Sequence, residues 1–155
     1  MKVELLTKQK FFVVVPYIRN GKWDGINWIT LTKIVFIING KREEIPSGFV
    51  TDFASIPKFS RVTINRIGKA VMAFVIHDWL RTKEGQIMPT AACDMALYEF
   101  MILLGESWYT SNKVYYSLRC FGWTASVGKN RFVEVDDMVI KYICDSNNYV
   151  EKHTK

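Results

Sequence analysis

Asn39-Gly40 is the dipeptide that most constrains what this chain can fold into. Both residues tolerate the left-handed backbone that a two-residue turn between antiparallel strands demands. Before it, Ile29 to Ile38 is rich in Ile, Val and Thr and reads as a strand. After it, Lys41 to Ile45 should return antiparallel, and its charges Lys41, Arg42, Glu43 and Glu44 suit an edge or a solvent-facing strand. Upstream, Phe11 to Val15 is apolar and β-branched and stops at Pro16, so it reads as a further strand. Arg19 to Asn27 holds Gly21 and Gly25 and reads as a turn-rich loop. The first third of the chain is therefore expected to be one small antiparallel sheet.

Pro46-Ser47-Gly48 ends that pattern. Phe49 to Pro57 has neither helical nor strand periodicity, and its Thr51, Asp52 and Ser55 can all bond backbone locally. It reads as an ordered loop able to present oxygens to a site, or as a plain turn with Asp52 capping a neighbour. From Lys69 the periodicity becomes helical. A first helix is expected over Lys69 to Thr82, followed by a turn at Lys83 to Gln86. A second starts at Pro89 or Thr90, runs to about Leu104 and ends at Gly105. A third spans Ser111 to Phe121 and stops at Gly122. Gly128 to Asn130 reads as a loop, Val135 to Cys144 as a terminal helix, and Asn147 onward as a polar, frayed end. Sheet first and helices after define an α+β fold: a small N-terminal antiparallel sheet, a helical hairpin and one or two further helices.

A chain of 155 residues is expected to form a single domain, 1–155, large enough to bury a core. Within it the sheet part covers about 1–48, the site loop about 49–60 and the helical part about 64–150. Composition, 49% hydrophobic and 23% charged, is that of an ordinary globular protein. No apolar run reaches the length of a membrane span. Lys8 and Lys10 interrupt any signal-peptide core, so synthesis and folding in a cytoplasm are expected. Cys93, Cys120 and Cys144 make no CxxC pair and read as free thiols. The net charge of +6 could favour nucleic acid or anionic lipid. Its basic residues are scattered, however, and read as a solvated surface with no specific nucleic-acid motif beneath.

Chemistry concentrates in Val75-Ile76-His77-Asp78-Trp79-Leu80, which holds one of the two histidines. Ala70, Ala73, Phe74 and His77 share a helical face, so His77 enters the core flank. A buried imidazole needs a partner, and Asp94 on the next helix can supply one. Asp94 shares a face with Leu97, Met101 and Leu104. A short turn packs the two helices antiparallel and brings His77 and Asp94 together. Asp78, about 100° further round the helix, would point sideways toward the Asp52 loop. That division suits a His77–Asp94 dyad beside a hard-cation site at Asp78 and Asp52. The alternative is a core histidine tied to a structural carboxylate. Ser55 and Cys93 are the nucleophile candidates near His77, and neither sits on a recognisable elbow. Zinc lacks a second histidine, because His153 lies in the tail.

Two resemblances add to this reading. Pro46 to Pro57 (PSGFVTDFASIP), then Val-Ile-His-Asp-Trp-Leu at 75–80, Cys93-Asp94, and Phe121-Gly122-Trp123 resemble the phage-encoded family called domain of unknown function 1353, over about Ile45 to Ala125. That resemblance implies a bacteriophage or prophage protein and no particular activity. The His77-Asp78 helix, Asp94 with Leu97 and Met101, and Tyr115 to Arg119 more loosely resemble the helical core of bacterial and fungal phospholipase A2. This second resemblance implies that His77 activates a water, Asp78 binds calcium and Asp94 orients the histidine. The chain departs from that family in lacking a glycine-rich calcium loop and the flanking disulfides, and in having Arg81 where the family has a tyrosine.

Two functions follow as expectations. One is a small phage hydrolase using a divalent cation, calcium favoured and zinc the alternative, on an ester-like or envelope-derived lipid substrate. The other is a non-enzymatic phage virion, assembly or host-interaction protein, made in the host cytoplasm, in which His77 only locks two helices. A hydrolase needs a cleft reaching His77, whereas a structural dyad can be sealed.

Overall fold

The computed structural model describes residues 1–19, 22–53, 68–82 and 88–121. The described residues form an α+β fold: antiparallel strands first, then three helices. The strands are β1 (Val3–Leu5), β2 (Val14–Arg19), β3 (Lys22–Thr30), β4 (Ile34–Ile38), β5 (Lys41–Ile45) and β6 (Val50–Thr51). The helices are α1 (Val71–Leu80), α2 (Thr90–Leu103) and α3 (Trp108–Phe121).

The Asn39-Gly40 hairpin forms as its chemistry requires. Asn39 has φ 49° and Gly40 φ 82°, and Ile38 pairs with Lys41 in the antiparallel β4–β5 register. The single expected sheet is instead two three-stranded sheets, ordered β1-β4-β5 and β2-β3-β6. The expected strand Ile29–Ile38 is divided between them. β3 ends at Thr30 and β4 begins at Ile34. The crossing is stabilised by hydrogen bonds outside either ladder. Leu31 N–H donates to the Val13 carbonyl at 2.9 Å, and the Thr32 hydroxyl accepts from Val13 N–H at 3.0 Å.

Three more expectations need correction. Phe11 closes a 3-10 turn over Gln9–Phe11, and the strand starts at Val14 and runs through Pro16. Proline is tolerated because β2 lies at its sheet's edge and its register shifts between Pro16 and Ile18. The loop expected over Arg19–Asn27 is largely strand β3, with Gly25 in the left-handed region at φ 77°. Strand β1, which pairs with β4, carries no signal stronger than three alternating residues.

The helices follow the pattern more closely. α1 is buried on every side except at Asp78, as a helix apolar all round must be. Phe36 on β4 meets Phe100 on α2 edge-on at 5.5 Å, and Phe49 meets Trp79 on α1 in the same way. Burying each such side chain contributes about 1.5–3 kcal/mol. Thr90 is the first residue of α2 rather than its cap, and Pro89 occupies the cap position. Gly105, at φ 85°, ends α2 with Glu106 N–H donating back to the Met101 carbonyl at 3.0 Å. α3 begins earlier than Ser111 because the Ser107 hydroxyl accepts from Thr110 N–H at 3.0 Å and caps it. The turn at 83–86, Ser55, the loop at 128–130, the helix at 135–144 and the tail from 147 lie outside the described residues.

Candidate functional site

α1 and α2 pack as the antiparallel hairpin that their short connection imposes. His77 sits in the last turn of α1 and Asp94 near the start of α2. Both are buried. The His77 Nε2 to Asp94 Oδ1 distance is 2.9 Å, a hydrogen bond across the hairpin. α3 adds a third member. Arg119 Nη1 donates to Asp94 Oδ2 at 3.4 Å, so both oxygens of the carboxylate are engaged. Helical spacing sets Arg119 close to Tyr115 and Leu118, but periodicity within one helix cannot reveal a partner on another.

Asp78 projects from α1 toward β6, as its helical angle requires. The residue that holds it there is Thr51, whose hydroxyl donates to Asp78 Oδ2. The same hydroxyl oxygen accepts from Phe53 N–H at 3.1 Å, which supports the left-handed backbone of Phe53 at φ 58°. Thr51 thus ties strand, turn and helix together. Asp52, between these two residues, is half-buried. Among the described residues, no three His, Cys, Asp or Glu side chains stand together as a metal-binding group.

The imidazole lies between two carboxylates. Nε2 is committed to Asp94, while Nδ1 stands 3.9 Å from Asp78 Oδ1, too far for a hydrogen bond. Nδ1 is buried and has no hydrogen-bond partner among the described residues. Burial is the largest influence on His77 and pushes its pKa down. Asp78 and Asp94 together outweigh it, so the pKa lies above the ordinary 6.5. For Asp94 burial pushes upward, but His77, Arg119 and Arg81 hold the carboxyl below its ordinary 3.8. Burial first, and Asp94 second, push the Cys93 thiol up to about 11, which disfavours the thiolate that a nucleophile needs. Its Sγ donates to the Leu80 carbonyl at 3.4 Å.

The described residues therefore hold an oriented ring, with one nitrogen anchored and the other without a hydrogen-bond partner among them. The fold and this site define a small α+β protein built on a histidine–carboxylate helical hairpin. Residues 31–118, more than half of the chain, match the family described as protein of unknown function (DUF1353), and the chain belongs to that family. The matched span includes His77, Asp78, Asp94 and Thr51. No curated protein and no solved structure matches the chain.

Proposed function

We propose that this chain is a small phage or prophage hydrolase in which His77 is the general base, Asp94 orients it, and the substrate is an ester-like or envelope-derived molecule. The observation that carries the reading is the asymmetry of the ring. Nε2 is bonded to Asp94, and Nδ1 has no hydrogen-bond partner among the described residues. In the neutral ring Nε2–H donates to Asp94, leaving the Nδ1 lone pair to accept a proton from water. The hydroxide so formed attacks the ester carbon, and the proton held at Nδ1 passes to the departing alkoxide. While the ring is cationic, Asp94 and Asp78 stabilise it from its two sides. His77 first, and Arg119 after it, hold the Asp94 carboxyl below its ordinary range, so it does not take the proton itself.

The resemblance to phospholipase A2 implies calcium at Asp78, and the loop residue Asp52 is the further ligand proposed from the sequence, with zinc as the alternative cation. Calcium takes six to eight oxygen ligands. Asp78 has one oxygen bonded by Thr51, and among the described residues no three His, Cys, Asp or Glu side chains group around it. The steps above use no metal.

Nitrophenyl esters and phospholipid vesicles provide the test, assayed with wild type, His77→Ala and Asp94→Asn. The reading expects turnover that rises with pH through the raised pKa of His77 and that His77→Ala abolishes. Turnover unchanged in His77→Ala would sink it. Calcium, magnesium, manganese and zinc are titrated in parallel against thermal unfolding. A resident cation at a hundredfold excess over Kd stabilises by about 2.7 kcal/mol, and Asp78→Asn should erase that response.

A second reading has its own support. The His77 side chain is 1% exposed, so the hydrolase reading requires the cover over Nδ1 to open for water and substrate. If it stays sealed, the dyad only locks α1 to α2, and the chain acts by contact with virion, assembly or host proteins. Absence of turnover on every ester, together with large losses of stability in both variants, selects this reading.

A further inference from the structure

We propose that the exposed face of α3, with the end of α2, is a docking surface for an anionic lipid membrane. Apolar residues scattered singly over a surface are ordinary, but a group of large ones is not. Trp108 and Tyr109 are each 69% exposed, and Tyr116 follows two turns later on the same side of α3. Ile102 and Leu103, also exposed, close α2 just before the turn that leads into α3. Five large apolar side chains therefore flank one turn and one helical face.

Their chemistry favours an interface over a protein groove. Trp and Tyr pair an apolar ring with a polar tip, which suits the headgroup boundary of a bilayer. α3 carries Lys113 and Arg119 and no acidic residue. Arg119 spends one nitrogen on Asp94 but remains exposed. The nearest acids in sequence, Glu99 and Glu106, are half-buried. With a chain charge of +6, the face meets anionic headgroups attractively. A second copy would bring the same charge and the same basic helix, which opposes self-pairing. One of the anchors is also held in place. Tyr116 packs edge-on against Tyr115 at 5.3 Å, and Tyr115 against Tyr98 at 6.1 Å, so fewer rotamers are lost on docking. The proposal stands apart from the hydrolase reading, because membrane binding requires no turnover.

Co-sedimentation of the full chain with phosphatidylglycerol–phosphatidylcholine vesicles tests it, with pure phosphatidylcholine as the neutral comparison. Binding should require the anionic lipid and weaken as salt is raised. Trp108→Ser with Tyr109→Ser should weaken it by at least about tenfold, and Lys113→Glu by a few-fold. Circular dichroism melts check that the variants stay folded, as substitutions at exposed positions should. Binding undiminished in the double variant overturns the proposal, as does no sedimentation at millimolar anionic lipid. Concentration-dependent dimerisation that the double variant abolishes, without vesicle binding, assigns the face to a second copy instead. Capture on single-stranded DNA, with no vesicle binding, assigns it to nucleic acid.

Discussion

The outer hairpin and the helical hairpin both hold ion pairs, and distance ranks them in the wrong order. On the β5 hairpin, Lys41 Nζ lies 2.7 Å from Glu43 Oε1, and Glu44 pairs with Lys33 at 3.6 Å and Arg42 at 3.7 Å. Between the helices, His77 and Asp94 are 2.9 Å apart and Arg119 reaches Asp94 at 3.4 Å. The tighter contact is expected to be the weaker one. Lys41 sits in water, where two unit charges at 4 Å attract by about 1 kcal/mol before entropy is subtracted. His77 and Asp94 are buried, where the attraction is several-fold larger and where an unpaired charge has no water to turn to. What separates the regions is the penalty for leaving a partner behind.

Removing the central carboxylate should show that penalty most strongly. Asp94→Ala leaves His77 and Arg119 without their common partner and should cost about 3–5 kcal/mol. Asp94→Asn keeps the shape and one acceptor and should cost about 1–3 kcal/mol. Urea unfolding measures both. Equal, small losses for the two variants would put Asp94 in the same class as the surface pairs and end the contrast.

The pH dependence sharpens the contrast from another side. The folded pKa of His77 is raised, so its contribution is complete below the unfolded value near 6.5 and is lost as pH rises through the folded one. The folded pKa of Asp94 is lowered, so its contribution is complete above 3.8 and is lost as pH falls through the folded value. Stability from the pair should therefore be greatest between these limits and decline on the alkaline side. Urea midpoints from about pH 5 to 9, with His77→Gln as the reference that removes the alkaline decline, test this. NMR titration locates the raised pKa directly, since the chain has only one other histidine, His153. A midpoint that climbs between neutral and alkaline pH would contradict the assignment.

Legibility followed the range of the interactions. Asn39-Gly40 announces its turn because the φ requirement is local to two residues. The His77–Asp94 bond was readable because two helical periodicities and one short connection fix which ends meet. The division of 29–38 into two sheets was not. It depends on Val13, eighteen residues upstream of Leu31, taking the backbone bonds that an unbroken strand would have used. Strand β3 was hidden by its glycine, because Gly25 sits within the strand at a left-handed φ rather than ending it. Thr51 was legible as a residue that bonds backbone, which it does at Phe53, but its second bond crosses to a helix. Asp78 and Asp52 were expected to share a cation, and the part of that expectation seen directly is the orientation of Asp78 toward β6.

Between the extremes lies Thr51. Thr51→Val keeps the volume and β-propensity but removes the hydroxyl. Phe53 N–H loses its acceptor and Asp78 loses a donor, and the expected cost is about 1–2 kcal/mol. Thr51→Ser should recover most of it. If Val costs nothing while Ser costs about 1–2 kcal/mol, methyl packing dominates and the hydroxyl tie is unimportant.

The smallest effect is expected where the shortest ion-pair distance is found. Lys41→Ala deletes the 2.7 Å contact with Glu43 on the hairpin's outer strand. The Lys41 side chain is 64% exposed, so water already competes for the ammonium and salt screens what remains. Ordering a four-carbon stem to hold the pair costs rotamer freedom that offsets part of the attraction. Glu43 is the more covered partner, so its own truncation also removes packing and is a poor single measure. A double-mutant cycle over Lys41→Ala and Glu43→Ala isolates the pair. The coupling should be about 0–0.5 kcal/mol and should fall further in high salt. A coupling that matched the His77–Asp94 pair in size and resisted salt would mean that distance, not exposure to water, sets the strength of an ion pair in this molecule.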